Sequence, residues 1–204
     1  PYLAPPLLRL IGKEKTYFTE LIRKSISEWN TFLYLRKNVT TLALEDYKWF
    51  LFQKDKAEKY FGEIGSIRIL DVGCGQRFTF TLLFHTYGAK VTGIDINIVN
   101  PGLSFKKYWK IFKNKGLAKM VKGLLREIFF DRLYYRELSK VCKLPLNWNG
   151  LDLRHADVTN LPFPGKYFNL IISNAVFEHV NDLPKATSEL DRVLKTNGMA
   201  YIGV

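Results

Sequence analysis

Ile69-Leu70-Asp71-Val72-Gly73-Cys74-Gly75 is the stretch on which the reading of this chain turns. An apolar run ends in a carboxylate, two glycines follow with one residue between them, and a helical pattern from Phe78 to Tyr87 comes next. Glycines let a backbone turn sharply and approach a ligand closely, and the start of the helix behind them presents N–H groups without partners. Twenty residues beyond Gly75, Asp95 closes a second strand-like run, Val91-Thr92-Gly93-Ile94-Asp95. A carboxylate at that place accepts hydrogen bonds from two ribose hydroxyls. Either piece alone is a weak signal. Together, at this spacing, they predict a nucleotide-type crevice at the carboxyl ends of two strands.

The loop also selects among ligands. A dinucleotide fingerprint requires a third glycine where this chain has Phe78, and Asp71 stands where it would repel a pyrophosphate. An acidic group there suits a ligand carrying an amine and a sulfonium, which favours S-adenosylmethionine over NAD.

Working outward, the texture on the C-terminal side is strand alternating with helix. Ile67 to Val72, Lys90 to Ile96, Leu151 to Ala156, Phe168 to Ser173 and Met199 to Val204 read as strands, and Phe78 to Tyr87 and Pro184 to Leu194 as helices. Such alternation predicts a doubly wound, Rossmann-like parallel α/β sheet with right-handed crossovers. On the N-terminal side, residues 1–66 read as a helical cap. Phe18, Leu21, Ile22, Ile26, Trp29, Phe32 and Leu33 form one apolar stripe, and a second helix runs from about Leu44 to Phe61.

The ordered motifs resemble a class I S-adenosylmethionine-dependent methyltransferase, closest to the type 11 group. The resemblance covers residues 67–204 apart from an insert at 98–150. Asp71 to Gly75 is similar to the family's first motif and Val91 to Asp95 to its second. Asp157-Val158-Thr159-Asn160-Leu161-Pro162-Phe163 resembles the stretch after the third strand, whose Asp meets the adenine amino group. Phe168 to Val180 resembles the fourth strand and the segment after it, and Glu189 to Lys195 with Gly198 the helix and turn before the fifth. The resemblance implies that Asp71, Gly73, Gly75, Asp95, Ile96, Asp157, Val158 and Asn174 bind S-adenosylmethionine, and that the chain transfers methyl to a small-molecule acceptor, a sugar or lipid-linked intermediate being one such. His179, beyond strand four, is the expected general base for a hydroxyl acceptor; the competing reading is that Glu178 and His179 only cap or pack the next helix. His85 and His155 are expected to be structural, and Cys74 a small turn residue.

Departures from the family pattern are visible too. Arg77 replaces a third glycine, where it either crowds the methionine end or pairs with its carboxylate. Thr196-Asn197-Gly198 replaces a proline–glycine turn. The family's sheet closes with two further strands; the chain begins without Met and ends at Val204 inside an apolar run, so it is expected to be a fragment, truncated after the fifth strand with an unfinished edge.

Of the net charge of +12, residues 98–150 carry 12 basic and 3 acidic groups, or +9. Lys115, Lys119, Lys122 and Arg126 recur at helical spacing, offset from Leu117, Val121, Leu124 and Ile128. At about 100° per residue the two stripes face opposite ways. Aromatic residues from Phe105 to Tyr135 crowd both sides. Three readings stand: a lid helix whose apolar face packs on the sheet, a peripheral membrane contact through residues 103–135, or, with least support, RNA binding.

Composition bounds the rest. With 204 residues, 47% hydrophobic and 25% charged, the chain is a globular domain rather than a disordered one. No apolar run reaches the roughly 18 residues of a membrane span, and two cysteines make neither a disulfide framework nor a zinc site. No metal is expected, and the location expected is the cytoplasm, either free or at the membrane periphery. The rival from another class is a non-catalytic methyltransferase-like protein that binds membrane or RNA through its insert; NAD-dependent oxidoreduction is the alternative enzyme.

Overall fold

The computed structural model describes residues 33–98, 108–109, 112–113 and 116–203, the side chains of residues 118, 119 and 122 excepted. The helix expected from Phe18 lies outside these residues except for its last position, Leu33, as do Phe105, Lys115 and the side chains of Lys119 and Lys122.

Five strands form one parallel sheet: β1 (Arg68–Val72), β2 (Lys90–Asp95), β3 (Asp152–His155), β4 (Phe168–Asn174) and β5 (Leu194–Gly203), in the order β3-β2-β1-β4-β5. The chain starts in the middle, steps outward through β2 to β3, and then returns to the other side of β1. β1 and β4 pair directly, with Leu70 opposite Ile171 and Val72 opposite Ser173. The winding direction reverses between them, and in doubly wound sheets ligands bind outside the carboxyl ends of the strands at such a switch point.

The central strands read as continuous apolar runs because both their faces are covered. Ile69, Leu70, Leu170, Ile171 and Ile172 are all fully buried. On one face Ile69, Leu170 and Ile172 share a cluster with α1 (Val39–Phe61), α2 (Thr79–Thr86) and α4 (Arg132–Cys142). Ala43, Phe50 and Ala57, seven residues apart, make the buried ridge of α1. The Phe50 ring meets Phe84 edge-on and Tyr87 at a tilt, with ring centroids 4.9 and 5.0 Å apart, and its burial is worth about 2–3 kcal/mol. The other face, with Leu70, Val72 and Ile171, packs against α5 (Leu183–Val193). The Asp182 side chain caps α5 by accepting the Lys185 N–H, and proline stands in its first turn.

Two expectations change. The segment 98–150 is not a single insert laid over a finished fold: α4, at its C-terminal end, buries Tyr134, Leu138 and Cys142 in the same cluster as α1 and the sheet. It is the crossover helix that joins β2 to β3. Strand β5 also begins at Leu194 rather than Met199. Phe168 faces Leu194 while Leu170 faces Met199, so two steps along β4 are matched by five along β5. The turn expected at Thr196 to Gly198 is present as an excursion inside the strand, tight enough that a Cβ on Gly198 would lie 2.8 Å from the Lys195 carbonyl oxygen.

Candidate functional site

Beyond Val72 the chain turns through Gly73 and Gly75, both with φ of 67°, a region that L-residues other than glycine seldom enter. The N–H groups of Gly73 and Cys74 both donate to the Ile94 carbonyl, at 2.8 and 3.0 Å, which straps the loop to the end of β2. One residue on, the Gly75 N–H donates to Oδ2 of Asp95 at 3.0 Å. The other Asp95 oxygen, Oδ1, accepts the Asn97 N–H at 2.6 Å. The glycine loop and the β2 carboxylate, two separate signals in the sequence, are thus one hydrogen-bonded unit. Each carboxylate oxygen keeps a further lone pair for a ligand.

The two glycines differ in what surrounds them. A Cβ on Gly73 would lie 2.2 Å from Cγ2 of Val176, whereas one on Gly75 would meet nothing within 4 Å. Gly73 is therefore required by packing, and Gly75 borders open space where a ligand can approach the main chain. Phe78, the position of a dinucleotide motif's third glycine, itself has φ of 36°. Such a conformation costs about 1–3 kcal/mol in a bulky residue. It is held by a fully buried ring that packs against Tyr135 and Trp148.

Asp71 points inward. Its Oδ2 accepts the Thr81 N–H at 3.0 Å and the Thr81 hydroxyl at 2.5 Å, which ties β1 to the first turn of α2. Burial pushes its pKa from 3.8 up to about 6, the Thr81 bonds opposing and the Asp95 charge adding to the rise. The same burial, with Asp71 and Asp95 nearby, raises the Cys74 thiol far above its ordinary range, so it stays protonated. Cys74 is thus a turn residue and an inert thiol.

The remaining residues of the expected site follow the sheet's carboxyl edge. Ile96, next to Asp95, is 59% exposed, an apolar side chain left at the lip. Beyond β3, Asp157 is exposed and its Oδ1 accepts both the N–H and the hydroxyl of Thr159, which lower its pKa. The Val158 side chain turns into the core beneath. Asn174 ends β4, and its Oδ1 accepts from Trp49 Nε1 at 2.7 Å and Gln53 Nε2 at 3.1 Å.

That last contact fixes three side chains at once. An indole nitrogen only donates, so Asn174 must present its oxygen to Trp49, and Gln53 must then present its NH₂ to the same oxygen. Gln53 Oε1 and Asn174 Nδ2 are left as a buried acceptor and a buried donor without partners. Trp49 and Gln53 were not legible as site residues, since 125 and 121 positions separate them from Asn174. The only available signal was two polar-tipped side chains one helical turn apart on α1.

His179 lies in the short helical turn Phe177–His179 after β4 and is 80% exposed, with Nε2 3.9 Å from Glu178 Oε1. His85 Nε2 bonds the Asn149 carbonyl at 2.8 Å, a structural contact. Arg77 neither crowds the crevice nor waits for a carboxylate: its guanidinium lies 4.9 Å over the Tyr134 ring. Among the described residues no three His, Cys, Asp or Glu side chains converge in a metal-holding group.

A parallel sheet in the order 3-2-1-4-5, with a glycine turn after β1 and a carboxylate after β2, defines a class I methyltransferase-type nucleotide fold. Residues 34–204 match the family model of the methyltransferase domain, and the chain belongs to that family. Among solved structures, it is similar to a candidate S-adenosyl-L-methionine-dependent methyltransferase from Methanococcus maripaludis, with 17% identity, 84% of this chain and 61% of that chain covered, and a TM-score of 0.50. S-adenosylmethionine-dependent methyltransferases from Methanosarcina mazei (22% identity, 71% and 54% covered, TM-score 0.43) and Mesorhizobium loti (22%, 69% and 48%, TM-score 0.39) also match. The chain spans about three fifths of the length of the first of these, 61%. Among curated proteins none matches.

Proposed function

We propose that the crevice beyond β1, β2 and β4 binds S-adenosylmethionine and serves methyl transfer to a small-molecule acceptor. The observation that carries this reading is the bonded unit of Gly75 and Asp95, open on the side where the Gly75 Cβ is missing. The residues fit the group. Asp95 offers two acceptor oxygens to a ribose, Ile96 an apolar lip to a purine, and Asp157 an exposed carboxylate to an exocyclic amine, with the Val158 backbone beside it. Gly75 supplies the close main-chain approach, and Gly73 lets the loop turn against Val176. Asn174 ends β4 at the same sheet edge, and Asp71, turned inward onto Thr81, would act on a cationic amino-acid tail through its charge alone.

When bound, the sulfonium supplies an electrophilic methyl group. The protein's part is chiefly to hold donor and acceptor in line and keep water out. α1 and the turn after β4 border the place where an acceptor would sit. His179 is the one imidazole on that turn, and its exposed ring serves as the base that takes the proton of a hydroxyl acceptor. A sugar or a lipid-linked hydroxyl compound fits this arrangement.

Equilibrium dialysis with methyl-labelled donor, competed by NAD, tests the reading. Retention of the donor, unaffected by NAD, supports it; retention of NAD instead overturns it. With an acceptor in hand, His179→Ala should lower kcat by about 10²–10⁴-fold and leave donor affinity unchanged. An unaltered kcat would remove His179 from the mechanism.

A further inference from the structure

The α3 helix (Leu117–Arg126), with the π-helical stretch Glu127–Asp131 that continues it, leaves much of an apolar face exposed. Leu117, Val121, Leu125, Ile128 and Phe129 are between 38% and 59% exposed. At 100° per residue Leu117, Val121 and Leu125 fall within an arc of about 80°, and Ile128 and Phe129 extend the exposed patch into the π-helical stretch. The inward sector is a different one: Glu127 is buried and accepts the Tyr108 hydroxyl, and Gly123 lies against the Tyr108 ring. Of the three readings of this segment, the lid helix packed on the sheet is the one this exposure disfavours: the helix is anchored by another sector, and Leu117, Val121 and Ile128 of the expected stripe are exposed while Leu124 is half-buried. Trp109 and Phe112, adjoining Tyr108, are exposed as well, at 47% and 38%.

Charge says what covers this face. Residues 106–126 hold eight Lys or Arg and no Asp or Glu. On the helical register Lys119, Lys122 and Arg126 occupy the sector beside the apolar arc. A second copy packed about a two-fold axis would bring the same +9 segment against it, and residues 1–32, with 5 basic and 3 acidic groups, are themselves positive. Neither offers the opposite charge. RNA offers the charge without an apolar phase to receive five aliphatic and aromatic side chains. An anionic bilayer supplies both.

We infer that the exposed apolar arc of α3, flanked by its lysine-rich edge, docks this protein on the surface of an anionic phospholipid bilayer. The docked face is tied to the glycine loop. Arg126 Nη1 donates to Gln76 Oε1 at 2.6 Å, and on the following α4 the Tyr135 hydroxyl donates to the Arg77 carbonyl at 2.8 Å. Docking would therefore place the crevice beside the lipid surface, within reach of an acceptor dissolved in it. The inference stands on exposure and charge and does not depend on the methyl-transfer reading.

Co-sedimentation of the full chain with phosphatidylcholine vesicles, with and without phosphatidylglycerol, tests it. Binding should be at least about tenfold tighter to the anionic vesicles and fall as salt rises, because exposed charges are screened. Val121→Asn with Leu125→Gln removes apolar contact without changing charge, at positions too exposed to threaten folding. That variant should lose binding by at least about tenfold with an unchanged melting temperature. Failure of the parent to bind anionic vesicles, or full binding by the variant, would overturn the inference. So would a parent dimer in gel filtration that the variant dissociates, or displacement of vesicles by polyuridylate with no effect of the apolar substitutions.

Discussion

Substituting alanine at the two glycines of the loop should separate folding from binding. At Gly73 two penalties combine. The φ of 67° costs a residue with a Cβ about 1–2 kcal/mol, and the new methyl, 2.2 Å from Cγ2 and 2.9 Å from Cγ1 of Val176, adds overpacking. Val176 is β-branched and cannot swing aside cheaply, so the second term is about 1–3 kcal/mol and the sum about 2–5 kcal/mol. Gly75→Ala carries only the first term, because its Cβ meets nothing within 4 Å. Urea unfolding should therefore show Gly73→Ala strongly destabilised and Gly75→Ala down by about 1–2 kcal/mol. Adding Val176→Ala to Gly73→Ala should recover the packing term in a double-mutant cycle. Titration with S-adenosylmethionine should rank the pair the other way: the Gly75 variant, though folded, should lose at least about tenfold in affinity, or ~1.4 kcal/mol. A Gly75→Ala chain that folds and binds as the parent does would refute the placement of the ligand against this loop.

Three further outcomes are expected. Because burial raises Asp71 to about 6 from 3.8, its contribution to stability is complete below pH 3.8 and lost as pH rises through 6, by at most about 3 kcal/mol. A cationic ligand prefers the ionised form, so donor affinity should rise over the same window; Asp71→Asn, which still accepts from Thr81, should flatten both profiles, and two unchanged profiles would refute the assignment. The Tyr134 hydroxyl is buried between Asp46 Oδ2 at 2.5 Å and Thr79 Oγ1 at 3.0 Å. Tyr134→Phe leaves both without it and should cost about 1–3 kcal/mol in denaturant melts with donor affinity intact. Gln53→Leu removes one bond to Asn174 and one orphaned acceptor together, so it should be within about 1 kcal/mol of neutral in stability; a larger loss would mean that Gln53 Oε1 is paired after all.

How much the sequence disclosed depends on how local each feature is. The β1–glycine–α2 turn and the β2 carboxylate are written in contiguous residues, and the parallel pairing that joins them is the default for strand–helix–strand units, so both were legible. The bond between Gly75 and Asp95 is a consequence of that pairing. The Trp49–Asn174–Gln53 contact is legible only once α1 is known to lie across the end of β4. The direction of the α3 stripe was equally hidden. Periodicity gives a helix its faces but not which of them the protein covers, and here Tyr108 and Glu127 decide it by gripping a third sector. Arg77 escaped for the same reason, its ring partner Tyr134 being 57 residues away. The excursion in β5 needed the register against β4, because Thr196 to Gly198 is a turn by composition and only the pairing shows that the strand continues on both sides of it.

The most direct test of the central claim is calorimetric titration of S-adenosylmethionine into the chain and into Asp95→Ala, with melts of both to establish folding. Saturable one-to-one heat in the parent, weakened by about 1–3 kcal/mol in the variant, is the predicted result. A folded parent that gives no heat, or equal affinities for the two chains, would contradict it.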